Sequence, residues 1–350
     1  MLTDKNVVVT GGTGSLGKVL VRRLLTGEMG LPAKITVFSR DEAKQNDMRL
    51  AYQHRTVATD EVIYHNFEQL LQFRIGDVRD IHSVSTVLRN ADVVFNAAAL
   101  KQVPSCEYFP YEAVQTNIMG AENIVRAICE HDLPVETVVG VSTDKACKPV
   151  NVMGMTKALQ ERIFVRANLD SKTRFICVRY GNVLASRGSV IPLFLEQISH
   201  GGPVTITTTD MTRFLLSLEQ AVDTIFAAVQ HAAAGETYIP RVPSARVVDI
   251  AEVLIGDRPI ETKVTGIRPG EKVHEILISE EEAHRAGPRG AYYVIAPMLP
   301  ELLSKPIENP LQKEYASSDI LMSKHELTEL LTRHDLLREG QRALDQDVLA

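Results

Sequence analysis

Residues Ser142-Thr143-Asp144-Lys145 place hydroxyl, carboxyl and amine groups on consecutive positions. They end the run Glu136-Thr-Val-Val-Gly-Val-Ser142, which is short, apolar and β-branched, the character of a central parallel strand. Polar side chains at the carboxyl end of such a strand face the crevice where α/β proteins hold ligands. An adjacent acid and amine there suit proton transfer at neighbouring atoms of one substrate. That work needs Asp144 raised and Lys145 lowered in pKa. The structural alternatives are a polar cap for the next helix and a self-neutralising surface pair. A second amine, Lys157, follows in Met153-Gly-Met-Thr-Lys157, on a helix expected from about Met155.

These groups need a scaffold, and the chain begins with one. Asn6 to Thr10 reads as a strand and is followed by Gly11-Gly-Thr13-Gly14-Ser15-Leu16-Gly17, then a helix to Leu25. Glycines at 11, 14 and 17 suit a tight turn, a close pyrophosphate and close helix–strand packing. The helix N-terminus offers free N–H groups to phosphate. A second strand, Lys34 to Phe38, ends in Ser39-Arg40-Asp41, with Lys44 four residues past Arg40. Ser39, Arg40 and Lys44 suit the 2′-phosphate of NADP, while Asp41 lies near the spacing of an NAD ribose acid. NADP is expected, with NAD as the alternative. Gln72 to Val78 is the third strand; Asp77 is placed for the adenine amino group and Val78 for the ring. Ala91 to Asn96 is the fourth, opening into Ala97, Ala98 and Ala99, small enough for close backbone approach. Lys101 follows, placed for a phosphate or the substrate. A helix over Tyr111–Glu130 carries Asn117, either a cofactor contact or a core amide. Residues 52–61 read as a helix end plus loop.

Beyond a further strand at Phe175–Tyr180, shorter elements suggest a smaller lobe. Asn182, Arg213, Arg268 and Glu271 lie in its connecting motifs. Arginine pairs with phosphate in a bidentate fork, so Arg213 and Arg268 suit a diphosphate. Asn182 would add a neutral donor, and Glu271 would accept from a ribose. The expected organisation is an α/β, doubly wound parallel Rossmann sheet over 1–180, rejoined by 215–245. A smaller substrate-binding lobe is expected from 181–214 and 246–296. Residues 297–350 form a tail with possible oligomer contacts.

The 350 residues carry a net charge of −6, and 45% are hydrophobic. That is enough for a core, and the charge argues against a nucleic-acid binder with a global basic face. The four cysteines lack metal-like spacing, so no metal is expected. No apolar run approaches the ~18 residues that span a bilayer, and no leader precedes the first strand. A cytoplasmic protein is expected, with no membrane partner.

Together the motifs resemble the extended short-chain dehydrogenase/reductases over roughly residues 5–285. The nearest likeness is to nucleotide-sugar 4,6-dehydratases of the soluble UDP-N-acetylglucosamine type. Thr10 to Gly17, Phe38 to Gln45, Ser142-Thr-Asp-Lys-Ala146, Met153 to Lys157, Arg179-Tyr-Gly-Asn-Val183, Asp210 to Phe214 and Arg268-Pro-Gly-Glu-Lys272 carry it. The resemblance implies oxidation of the sugar at C4, loss of water across C5 and C6, and return of the stored hydride to C6. It implies Lys145 as the C5 base, Asp144 as the acid for O6, Thr143 on the C4 oxygen and Lys157 on the nicotinamide ribose. It also implies a UDP-sugar substrate and a homo-oligomer, dimer or hexamer. One position departs: Met153 stands where the superfamily's catalytic tyrosine, four before the lysine, is expected. A phenolate cannot therefore take the C4 hydroxyl proton. A nucleotide-sugar 4-epimerase and a non-catalytic dinucleotide-binding protein are the competing readings.

Overall fold

The computed structural model describes residues 1–53, 60–184, 189–303 and 306–337. Six parallel strands form its centre: β1 (Asn6–Thr10), β2 (Lys34–Ser39), β3 (Leu71–Ile75), β4 (Val93–Asn96), β5 (Thr137–Thr143) and β6 (Arg174–Tyr180). Valine and isoleucine crowd these strands because helices cover both faces, and strands buried on both sides need no polar alternation. Val7, Val9, Phe95, Val139 and Ile176 fill one face, and Val8, Val94, Val138 and Phe175 the other. The order β6-β5-β4-β1-β2-β3 places the chain's reversal between β1 and β4. The crevice of a doubly wound sheet opens at that point, beyond the carboxyl ends.

Strand Thr237–Pro240 extends the sheet parallel to β6, after helix Leu218–His231 packs back on helix Ser15–Leu25. Antiparallel strands Tyr292–Ile295 and Ala286–Arg289 complete nine strands. Residues 286–295 therefore join the main sheet, where the sequence placed them in the smaller lobe. Residues 212–216 form a strand between Asn182–Val183 and Ser244–Arg246. Phe214, Leu215 and Leu216 are buried there, and a three-stranded patch satisfies the backbone that a loop would leave unpaired.

Two other expectations are corrected. The helix expected from Met155 begins at Val152, because Asn151 caps it by accepting from the Gly154 amide. The helix over 111–130 is broken by a π-helical turn at Val114–Met119, which holds Asn117. Between the second and third strands a helix spans Asp60–Leu70; residues 54–59 of the expected loop lie outside the described residues.

The smaller lobe has its own core. Phe194, Ile198, Ile250 and Leu254 pack with Leu327 and Leu331 of helix Lys324–Arg333. Tyr315–Ala316 also pairs with strand Ile276–Ile278. The described tail is thus built into both parts: Leu311 packs on the main core and donates to the Ala286 carbonyl, while Leu327 and Leu331 close the lobe.

Candidate active site

At the carboxyl end of β5 the chain turns sharply. Thr143 accepts from the Lys145 amide, and Asp144–Ala146 forms a single 3-10 turn. Helix Val152–Ala167 closes on this turn through Gly154, where any Cβ would collide with the Lys145 carbonyl oxygen. This packing splays the neighbouring side chains. Asp144 points inward and is fully buried, while the Lys145 side chain keeps 22% of its exposure.

Asp144 Oδ1 accepts from Thr143 Oγ1 at 2.8 Å and from Lys145 Nζ at 3.0 Å. Lys145 Nζ also donates to Asn182 Oδ1 at 3.2 Å and lies 3.2 Å from Glu275 Oε1. Burial pushes the Asp144 carboxyl above the usual range, outweighing Lys145. Burial pushes the Lys145 ammonium down, yet Asp144 and Glu275 outweigh it and leave it raised. The raised acid agrees with the expectation; the raised lysine corrects it. Glu275 is opposite to Asp144: burial raises it, but Lys145, Arg213 and Lys272 together hold it low. Glu275 carried no local mark in the sequence beyond an acid beside the apolar run Ile276-Leu-Ile278.

The second amine is different again. Lys157 is buried, donates to Gln160 Oε1 at 2.6 Å, and is lowered to about 8 by burial. Met153 lies in an apolar cluster with Cys106 and Ala113 and offers no proton. Asn117 is fully buried; it donates to Thr156 Oγ1 and the Leu100 carbonyl, and accepts from the Leu100 amide. Its amide is thereby spent on fixing the loop after β4, which corrects the expected cofactor contact. Lys101 is exposed on that loop.

The glycine turn fits a dinucleotide. Gly11 has φ +67°, and a Cβ on it would stand 2.7 Å from the Ala98 nitrogen. Ala97 and Ala98 thus face the turn across the reversal between β1 and β4, with Ala99 next along the chain. A Cβ on Gly17 would stand 2.5 Å from Gly12 Cα. Helix Ser15–Leu25 starts at Gly14 without a side-chain cap, leaving its first N–H groups for an anion. Leu16 packs against the main core. Thr13 Oγ1 lies 3.1 Å from Ser39 Oγ, which joins the turn to the end of β2. Arg40 is exposed there and reaches Asp77 at 3.7 Å; Lys44 pairs with Asp41. Asp77 also accepts from Arg79, and Val78 is buried beside it.

The lobe motifs divide. Arg268 is exposed, and Glu271 accepts from Thr207 Oγ1. Arg213 is buried, donating to the carbonyls of Thr212 and Val273 and lying 3.9 Å from Glu275. Its placement beside Glu275 corrects the expected diphosphate contact. Asn182 Oδ1 accepts from Lys145 Nζ, while the donor role expected of this residue belongs to its Nδ2 hydrogens.

A family model described as polysaccharide biosynthesis protein matches residues 7–297. The chain belongs to the polysaccharide biosynthesis protein family. It is 42% identical over 301 residues to a protein named UDP-glucose 4-epimerase of Rickettsia bellii, covering 84% of each chain. Among solved structures it is similar to Pen from Bacillus thuringiensis, with 34% identity and TM-score 0.83, covering 96% of this chain and 99% of that one. The dTDP-glucose 4,6-dehydratase DesIV of Streptomyces venezuelae shares the fold, at 20% identity and TM-score 0.64, covering 77% of this chain and 86% of that one. In this member of the family, no described helix is long and apolar enough to cross a membrane.

Proposed function

We propose that this chain is an NADP-dependent 4,6-dehydratase of UDP-N-acetylglucosamine. It would yield a UDP-4-keto-6-deoxy-N-acetylhexosamine for surface-glycan synthesis. The observation that carries this reading is the buried Asp144 beside Lys145, an acid–amine pair at the crevice with Asp144 raised in pKa. Gly11, Thr13, Gly14, Ser15, Leu16 and Gly17 would hold the pyrophosphate side of NADP. Ser39, Arg40 and Lys44 would hold its 2′-phosphate, Asp77 and Val78 the adenine, and Lys157 the nicotinamide ribose. When bound, that cofactor supplies the reversible oxidation at C4 and the reduction at C6. Arg268, Glu271 and Lys101 would meet the nucleotide and diphosphate of the sugar.

Thr143 already donates to Asp144, so its oxygen is left to accept from the C4 hydroxyl. The proton released at C4 then has a two-step route to Asp144, with no phenol needed at Met153. Asp144 passes a proton to O6 as the C6–O bond breaks, and the leaving group departs as water. Lys145, as the neutral amine, removes the C5 proton and later returns it.

The test is incubation with UDP-N-acetylglucosamine in deuterated water, followed by mass spectrometry and NMR. Loss of one water with deuterium at C5 is expected. Asp144→Asn with Lys145→Ala should abolish both; survival of either in that variant sinks the assignment. The Rickettsia relative's name favours a second reading, a 4-epimerase, which predicts a product of unchanged mass with C4 inverted. Assembly as a dimer or hexamer is a further part of the proposal, read by light scattering.

A further inference from the structure

Lys145 is the proposed base, yet as an ammonium its nitrogen has no lone pair to offer. An ammonium has three hydrogens. Three acceptors surround Nζ: Asp144 Oδ1 at 3.0 Å, Asn182 Oδ1 at 3.2 Å and Glu275 Oε1 at 3.2 Å. A proton must leave before this lysine can take one from carbon. An amide oxygen is too weak a base to receive it, and Asp144 is committed to the leaving oxygen.

Glu275 is the remaining neighbour. Its side chain is 3% exposed, and its Oε2 is buried with no hydrogen-bond partner among the described residues. Its backbone is held from the far end of the chain. Ser317 Oγ accepts from the Glu275 amide at 2.9 Å, and the Ser317 amide donates to the Glu275 carbonyl at 2.8 Å. Ser317 Oγ is in turn 2.6 Å from Thr212 Oγ1. The charged groups facing the lysine are Asp144, Glu275, Arg213 and, further out, Lys272.

We infer that Glu275 is the proton partner of Lys145, receiving its third proton when a nucleotide sugar closes the site. The inference rests on the dehydratase reading. The transfer converts Lys145 ammonium and Glu275 carboxylate into a neutral amine and a neutral acid, with no change in net charge. Desolvation drives it, because water screens the ion pair at the open face of Lys145 and a bound sugar would remove that water. The amine then takes the C5 proton. After that proton is returned to carbon, Glu275 hands its own back to Lys145. Glu275 acts through the lysine and is a positioning residue.

The test uses Glu275→Gln, Glu275→Asp and Ser317→Ala in the full chain with its dinucleotide. The first readout needs no turnover: the pH midpoint for acylation of Lys145, followed by peptide mass spectrometry. It should fall in Glu275→Gln, which removes one anion, and recover in Glu275→Asp. The second readout is C5 deuterium incorporation, set against the appearance of reduced dinucleotide at 340 nm. Glu275→Gln should lose C5 exchange by about 100-fold or more, the usual scale of general acid–base catalysis. Reduced dinucleotide should still form. Ser317→Ala, which keeps the carboxylate but loosens it, should show a smaller loss in the same readout. An unchanged Lys145 midpoint in Glu275→Gln, or C5 exchange at the wild-type rate, would overturn the inference. Wild-type protein that eliminates no water would instead overturn the dehydratase reading, while the midpoint would still decide the hold of Glu275 on Lys145.

Discussion

Two carboxylates face one lysine, and their surroundings push them apart. For Asp144, burial and the Glu275 charge outweigh Lys145 and the Thr143 hydroxyl, and it goes up; Glu275 also has Arg213 and Lys272 nearby, and goes down. The acid and the carboxylate that rests charged are thus separated by neighbours rather than by residue type. At the other end of the crevice, Arg40 is exposed past β2 beside Ser39. Arg40→Ala should weaken NADP binding by about 10- to 100-fold, the value of a charge-assisted hydrogen bond, and leave NAD binding nearly unchanged. Titration calorimetry with both dinucleotides checks this; equal losses would remove Arg40 from the 2′-phosphate site. The motif residues were legible because their types announce chemistry in any context. Glu275 was not, since its meaning comes from a distance of 3.2 Å to a residue 130 positions away. Arg213 misled for the same reason: an arginine suits phosphate by type, and only the fold shows it donating to the Thr212 and Val273 carbonyls.

At the scale of elements, a buried ionic network ties the site's strands to its helices. Arg179 on β6 pairs with Glu161 on helix Val152–Ala167 and with Glu282 on the short helix Glu280–Ala283. Ser142, the last buried residue before Thr143, donates to the same Glu161. Burial alone would raise Glu282; Arg179 outweighs it and lowers the carboxyl to about 2. A depressed carboxyl stabilises the fold above its unfolded pKa and loses that contribution as pH falls through its folded one. Stability on the order of 3 kcal/mol should therefore be lost between about pH 4.5 and about pH 2. Urea midpoints across that range should show the loss in wild type and a flatter profile in Glu282→Gln. Parallel strands and the glycine turn were readable from β-branched runs and spacing. The π-helical turn was not, because the apolar pattern of 111–130 continues across it. Its cause is tertiary, the pull of Asn117 toward Leu100 and Thr156. The start of helix Val152–Ala167 was misplaced because Asn151 was not read as its cap.

For the whole molecule, the boundary between domain and tail was the least legible feature. The region after 297 is polar enough to resemble a tail, and its few apolar side chains have meaning only against what they cover, the main core for Leu311 and the lobe for Leu327 and Leu331. Leu327 and Leu331 are fully buried against helix Val247–Ile255. Leu327→Ala should cost about 2–5 kcal/mol, and Leu331→Ala a similar amount. The pair should also depress C5 exchange, since the same segment carries Ser317. Urea unfolding and the deuterium assay on one preparation check both effects; full activity in a clearly destabilised double variant would separate the helix from the site.

The brace from Ser317 to Glu275 also has a consequence for a chain still being made on the ribosome. The six central strands and the glycine turn are complete once Tyr180 has emerged, so a dinucleotide crevice is available early. Lys145 gains its last carboxylate only with Glu275, and that carboxylate its anchor only with Ser317. A nascent or prematurely released chain would hold the crevice without the set lysine. Competence to break a carbon–hydrogen bond thus arrives after the parts that bind.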